Sequence, residues 1–579
     1  MVLANDTYND IRRIICSDLP INEKYRELYG ILSRICSQET TKSDTDSSGL
    51  FSRLYAVCQN AGIDHHDIDA FRRHARRIMN GEEACDANAG APFRDDYHRL
   101  CLFISQLYNI PLPEDLKGTE GTATPTRKNA YKKGHRINKL RAIIVNVGKE
   151  AFSCTSNHGD LLIHVPHLSR TLRILSPGMP VNILGVEFED DEKRTAEMVI
   201  IDPDYLIDVS ALSACMKPYG DSAESYFLDM ISPKETTIPI MLGNAANRFM
   251  DDLVNTPVDF NDNEAVNQLY EESLHKHFME NLLNYSCLDL PLDKSYFDTL
   301  KETFRNIKSY VQHRFPSAEV GLPLEDTLLE PSFICETLGL RGRLDVMAAN
   351  HKSLVELKSG KAEENYGHLQ GPQRQHVMQM SLYKEMLHYN FSMPRDNVKS
   401  FLFYSRYPVF YNQRSASKAM TEALELRNEI VVMEARIRKG ELGEMLENIS
   451  SDALNKNGLS NSLWNKYIRP QLENVIRPLH TMSPLEHDYF TEFATFLERE
   501  KYLNKTSDNR PDSNRALAST WATDLETKLA SGDILPNLKI KSTDGEDGIE
   551  CITFIIPHYG NDFIANFSVG EMVQMYKRN

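Results

Sequence analysis

Between Gly342 and Tyr383 the chain sets two acids and an amine inside runs that otherwise read as buried strands, a combination few folds accept. Arg343 to Ala348 and Ser353 to Lys358 are short and apolar-rich. The polar turn Asn350-His351-Lys352 between them suits two neighbouring strands of a hairpin. Side chains alternate across a strand, so Glu356 and Lys358 share one face while Leu357 points away. Pairing across this turn would bring Asp345 beside them. Unpaired buried charge is costly, so two carboxylates and an ammonium at one spot call for a compensating ion. Mg²⁺ answers that need: Asp345 and Glu356 offer hard oxygen ligands, joined by the backbone carbonyl of Leu357. Downstream, His368 to His388 has helical composition, and His376, Gln379 and Tyr383 fall on one face of it, looking at the same spot. Gln379 is expected to hydrogen-bond the lysine or a water. Tyr383 is expected to reach a phosphate oxygen or the carboxylates.

In order, Gly342-Arg343-x-Asp345, Glu356-x-Lys358 and Gln379-x-x-x-Tyr383 resemble the PD-(D/E)XK nucleases, in the branch named for the RecB nuclease domain. Within it the chain looks most like the nuclease part of the DNA-replication helicase-nucleases, over the middle of its length. The acidic spacing alone recurs by chance; the flanking Gly-Arg and the Gln379/Tyr383 pair make it specific. The resemblance implies a restriction-endonuclease-like α/β core, a Mg²⁺ or Mn²⁺ cofactor, and hydrolysis of phosphodiester bonds in single-stranded or flap DNA. It gives Asp345 and Glu356 the metal, Lys358 the attacking water and developing charge, Gln379 and Tyr383 the orientation of the site, and Arg343 and His376 contacts to nucleic acid.

Relatives in this branch often carry Gly-x-x-x-His on a preceding helix, the histidine being a further metal ligand. Here Gly243 leads to Asn247, whose amide oxygen binds Mn²⁺ more weakly than imidazole does but is acceptable to Mg²⁺. Many relatives also carry an iron–sulfur cluster on one cysteine before the active site and three after it. The ten cysteines lie at 16, 36, 58, 85, 101, 154, 215, 287, 335 and 551, with no C-x-x-C pair and Cys551 alone beyond the site. No cluster, disulfide framework or zinc framework is therefore expected. Ser359-Gly360-Lys361-Ala362 lacks the preceding glycine and final hydroxyl of a P-loop, so no ATP site is expected. The resemblance then implies a helicase motor either in cis beyond residue 579 or in trans. Two other classes compete with the nuclease: a catalytically weak nucleic-acid-binding module, with Asn247 marking decay, and a scaffold for a partner helicase.

A chain of 579 residues with a formal charge of −17 is not a general polyanion binder, so contact with nucleic acid is expected only at local basic patches. Met1-Val-Leu-Ala-Asn-Asp6 lacks the regions of a signal peptide, and no apolar run is long enough to span a bilayer, so a cytoplasmic location without membrane contact is expected.

The order of patterns predicts an α+β multidomain chain. Residues 1–117 read as helical, with Ile11, Ile14 and Ile15, then Tyr25, Leu28, Tyr29 and Leu32, at helical spacings. In this region Asp64-His65-His66-Asp67 lacks a metal-type ligand spacing, and Arg72 to Arg77 reads as a solvated helix face. After a Gly/Thr/Pro linker, Arg127, Lys128, Lys132, Lys133, Arg136, Lys139 and Arg141 form a positive run suited to phosphate. Residues 126–212 then give five short strands, a small OB-like β-barrel that would offer single strands a platform. Residues 213–410 are assigned to the nuclease core, including a helix over 238–254, and 411–505 to a helical extension. Glu330 and Glu336 read as solvated strand residues. Ser483-Pro484-Leu485-Glu486 is a capping box opening a helix whose apolar side, Leu485, Tyr489, Phe493, Phe496 and Leu497, is expected to pack in a core. Residues 512–579 resemble the start of a β-rich, helicase-associated segment, with strands over 550–556 and 562–567.

Overall fold

The computed structural model describes residues 2–43, 50–79, 90–117, 134–156, 158–188, 194–288, 292–365, 368–413 and 417–506, and beyond these mainly 534–544 and 551–557. The chain forms two compact units, Met1–Asp204 with Glu500–Lys539 and Phe554–Asn579, and Tyr205–Arg499 with Ile540–Thr553. None of the described helices is long and apolar enough to cross a membrane.

The first unit begins with α1 (Val2–Cys16), α2 (Ile21–Ser43), α3 (Leu50–Ala61), α4 (His66–Met79) and α5 (Gly90–Tyr108). The apolar stripe read from the sequence is its core: Ile11, Ile14, Tyr25, Leu28 and Leu32 are buried against Phe71, Leu100 and Ile104, with Ile15 and Tyr29 packed at the edge. Of the arginine cluster on α4, Arg76 and Arg77 are exposed as a solvated face requires, and Arg72 departs from it. Arg72 is buried, donates to Asp69 at 2.7 Å and lies over the Phe51 ring at 4.8 Å. A guanidinium is tolerated there because its charge is paired and its plane stacked.

A closed five-stranded barrel follows: β1 (Arg136–Val147), β2 (Ala151–Ser156), β3 (Gly159–His164), α6 (Ser169–Ile174), β4 (Pro180–Phe188), and a last strand in two pieces, β5 (Arg194–Thr195) and β6 (Met198–Ile201). Closure comes from β1, which pairs with both β2 and β4, and from a parallel contact of β3 with β5. Alternation fills the interior: Leu161 and Ile163 are buried while Leu162 between them is exposed. Of the positive run, Arg127, Lys128, Lys132 and Lys133 lie outside the described residues. Arg136 pairs with Glu187 and Glu197, and Arg141 pairs with Asp204 at 2.6 Å, so both neutralise acids of the barrel; Lys139 is exposed.

The second unit opens with β7 (Ile207–Asp208), α7 (Val209–Ala214), the hairpin β8 (Met216–Lys217) and β9 (Gly220–Asp221), and α8 (Ala223–Ile231). Because β7 pairs in parallel with a strand at 340–341, the chain has entered this unit before residue 212, where the sequence places the barrel's end. Then come α9 (Ile238–Asn255), α10 (Asn263–Glu280), α11 (Leu282–Ser286), α12 (Lys294–Ser309), β10 (Thr327–Leu329), β11 (Ser332–Cys335), β12 (Leu340–Arg343), β13 (Val346–Ala348), β14 (Ser353–Lys358), the hairpin β15 (Glu363–Asn365) and β16 (His368–Gly371), α13 (Arg374–Phe391), β17 (Lys399–Tyr404) and β18 (Val409–Asn412). A mixed sheet runs β10-β13-β14-β17-β18, with β14 and β17 parallel. Val355 and Leu357 join Phe249 of α9 and Phe304 of α12 in one buried core, so these helices cover one face and α13 meets the other. The helices α14 (Ser417–Arg438), α15 (Leu442–Asn448), α16 (Ser451–Leu454), α17 (Arg469–His480) and α18 (Pro484–Thr506) follow, and β19 (Lys539–Asp544) pairs with β20 (Cys551–Ile555). The strand expected over 562–567 lies outside the described residues.

Three expectations are corrected. The run 343–348 is not one strand: Arg343 ends β12 in a separate three-stranded sheet, and the chain bends at Leu344-Asp345 before β13. The helix expected from His368 starts at Arg374, because Gly371, at φ +157, and Pro372 break it and 368–371 form a strand. The capping box forms, Ser483 N–H reaching Glu486 at 2.8 Å, but the apolar side of α18 stays on the surface, with Leu485 79% exposed and Tyr489 stacked on Phe493.

Candidate active site

The bend between β12 and β13 is what delivers Asp345. Its carbonyl accepts from Glu330 N–H at 2.9 Å and its carboxylate accepts from Leu357 N–H at 2.7 Å, which pins the side chain to β14. Val346 faces Val355 and Met347 faces Leu354, so the register carries Asp345 to the level of Glu356. Glu356 and Lys358, on one face of β14, turn toward α13. Asp345, Glu356, Leu357, Lys358, Gln379, His376, Arg343 and Asn247 all line a single open cleft of about 900 Å³.

Within it the polar contacts are dense. Lys358 Nζ donates to Glu356 Oε1 at 2.8 Å and to Gln379 Oε1 at 2.9 Å, while Gln379 Nε2 donates to the same Glu356 oxygen at 2.7 Å. Gln379 therefore bridges the lysine and the acid, as its place on the helix predicts. Glu356 is 2% exposed, yet its second oxygen, Oε2, has no hydrogen-bond partner. Leaving a buried carboxylate oxygen bare costs about 1–3 kcal/mol or more. Burial and then the neighbouring Glu356 charge hold the Asp345 carboxyl well above the usual carboxylate range, against the pull of Lys358.

An orphaned buried carboxylate oxygen, a second carboxylate with raised proton affinity and the Asn247 amide lining the same cleft are hard oxygen donors of the kind Mg²⁺ and Mn²⁺ take, so the residues present fit the ion.

Two residues take roles other than those expected. Tyr383 is buried, and its hydroxyl donates to the Arg343 carbonyl at 2.7 Å, so it does not reach for phosphate; it clamps the strand that leads to Asp345. His376 stands in the cleft wall with Nδ1 against the Tyr404 hydroxyl at 2.7 Å. Burial and then Lys358 push its pKa down to about 3, so it is a neutral hydrogen-bonding group rather than a cation for phosphate. Arg343 is paired with Glu330 at 2.9 Å on the rim, and Glu336 lies off the cleft beside Thr337.

The glycine of Gly342-Arg343 has a packing reason. A Cβ there would sit 2.6 Å from the Tyr383 ring and 3.2 Å from Val209. Gly342→Ala is expected to cost roughly 1–3 kcal/mol of stability through overpacking and to loosen the Tyr383 clamp. Urea unfolding read alongside metal affinity checks both effects.

The sequence reading missed several residues. Asp208, Ser210 and Asn244 line the cleft, with Ser210 Oγ 3.2 Å from Gln379 Nε2. Asp251, one turn beyond Asn247 on α9, is pushed up to about 6 by burial and then by Glu330. Only the four-residue spacing from Asn247 marked it in the sequence; Ser210 comes from a segment with no motif. Compared with protein-family models the chain matches none, and no curated protein matches it.

Proposed function

We propose that this chain is a cytoplasmic, divalent-metal-dependent deoxyribonuclease with a PD-(D/E)XK-type core that hydrolyses phosphodiester bonds in single-stranded or flap DNA. The observation that carries the reading is the partnerless Oε2 of Glu356, buried beside Asp345 and Lys358 in an open cleft. A carboxylate pair with an ammonium locked between acid and amide has no evident structural use, since apolar residues would fill the same space at lower cost.

Asp345, Glu356, the Leu357 carbonyl and Asn247 would hold Mg²⁺ or Mn²⁺, which supplies charge neutralisation at a phosphate and a more acidic water. Lys358, fixed by Glu356 and Gln379, presents its ammonium to charge growing on the scissile phosphate. Tyr383 and Gly342 keep Asp345 in register, and neutral His376 can donate or accept a hydrogen bond at the cleft wall. A closed five-stranded barrel with a helix between β3 and β4 and a parallel β3–β5 contact argues for an OB-like platform, and so for a single-stranded substrate. A helicase, in cis or in trans, is the partner that would supply such strands.

Incubating labelled single-stranded, flap and duplex DNA with the protein and Mg²⁺ or Mn²⁺ tests the reading. Cleavage of the first two, lost on chelation, is expected; DNA binding without cleavage under both metals would refute it.

Metal binding should also depend on pH in a defined direction. The native Asp345 carboxyl is raised above its unfolded value, so the stability it contributes is complete at low pH. That contribution drains away as pH climbs from the ordinary carboxylate range, about pH 4, through the raised native value. In chelator the melting temperature should fall over this window. Saturating Mg²⁺ should flatten the fall, and Mg²⁺ affinity should rise with pH. Calorimetric melting with and without Mg²⁺ checks it.

A further inference from the structure

We propose that Asp64, His65 and His66, backed by Asp160, form a second metal site in the first unit, one that takes a borderline transition-metal ion of the zinc type. Asp64, His65 and His66 offer ligand atoms that all lie within 4.8 Å of one another, at the corner between α3 and α4. Zinc bonds such donors at about 2.0–2.2 Å, so small side-chain rotations suffice to close the set on one ion.

The surroundings fit a metal better than a chance surface cluster. His66 carries a carboxylate at each nitrogen, Asp64 at Nδ1 and Asp160 of β3 at Nε2, 3.2 Å away. With Asp160 accepting from Nε2–H, an ion seated between Nδ1 and Asp64 would take the place of the Nδ1–H···Asp64 hydrogen bond and give the carboxylate–histidine–metal arrangement that fixes ring and tautomer. His65 supplies an independent observation. Its Nε2 is shielded from solvent and has no hydrogen-bond partner, and the ring is held edge-on by Tyr55 at 5.0 Å. A buried nitrogen without a partner is the mark of a missing one.

The donor set also sorts the ion. Two imidazoles and one carboxylate favour Zn²⁺, Co²⁺ or Ni²⁺, whereas the all-oxygen cleft around Asp345 and Glu356 favours Mg²⁺ or Mn²⁺. Because Asp160 belongs to the barrel and Asp64 to His66 to the helical segment, an ion here would tie the two together within the unit. The adjacent positions 64, 65 and 66 form no motif, which is why spacing alone argued against a metal; Asp160 arrives only through the fold.

The full-length protein, stripped with chelator, is titrated with Co²⁺ and then Zn²⁺ while visible absorption is recorded. One equivalent of Co²⁺ should give intense four-coordinate bands that Zn²⁺ displaces. His66→Ala should abolish them, and Asp160→Asn, an exposed position that the fold tolerates, should weaken Co²⁺ binding about tenfold. Glu356→Gln should leave the bands unchanged, which separates this site from the cleft. No bands in the wild-type protein, bands undiminished in Asp160→Asn and in folded His66→Ala, or bands lost in Glu356→Gln would overturn the proposal.

Discussion

Asp345→Asn is expected to make the metal-free protein more stable while removing its activity. The native carboxyl is held in a costly state by burial and by the nearby Glu356 charge. An amide relieves that repulsion and still accepts from Leu357 N–H. The gain should be on the order of 1 kcal/mol, a rise of a few degrees in melting temperature in chelator. Added Mg²⁺ should no longer raise the melting point, and hydrolysis of single-stranded DNA should fall about a thousandfold, since the ion contributes several kcal/mol to the transition state. Stability and function thus move in opposite directions at one residue, as stability–activity trade-offs at functional sites do. A structural carboxylate would behave differently: its replacement would lower the melting point and leave the Mg²⁺ response intact.

Lys358→Ala tests the other half of the site. Its ammonium is the charge partner of a glutamate that is almost fully buried. Removing one partner of a buried pair leaves an uncompensated charge, so the metal-free variant should lose about 3 kcal/mol, with much of the loss restored by Mg²⁺. Hydrolysis should fall by about 10²–10³-fold because the donor proposed to face the scissile phosphate is gone, while DNA binding should hardly change. Lys358→Arg is the informative companion. It keeps the charge, but a planar fork does not fit the niche between Glu356 Oε1 and Gln379 Oε1, so it should fold better than the alanine variant and stay nearly as inactive. Urea unfolding with and without Mg²⁺, together with single-turnover cleavage, reads all three quantities.

The local part of this site was legible in the sequence because period-two and helical spacings are set by the backbone. Glu356 and Lys358 had to share a face, and Tyr383 had to follow Gln379 by one turn, whatever the tertiary fold. The strand break at Leu344-Asp345 was not legible, since it depends on β12 pairing with β11 and β7 in a second sheet. Tyr383 was misread for the same reason: its hydroxyl finds Arg343 only because that sheet brings the carbonyl there. Gly371-Pro372 is a readable helix break that places the start of α13 beyond Pro372. Helical amphipathicity located α18 but not its partner, because an apolar stripe records what a helix buries somewhere and not that this unit buries it. Ser210 and Asp251 needed three dimensions.

Asp345 and Glu356 are proposed to share one divalent cation through the bare Oε2 of Glu356. Crystals soaked in Mn²⁺ and measured near the manganese absorption edge test it most directly. An anomalous peak is expected between the Asp345 and Glu356 carboxylates, absent in Asp345→Asn. An empty cleft at saturating Mn²⁺, or a peak unchanged in that variant, would contradict it.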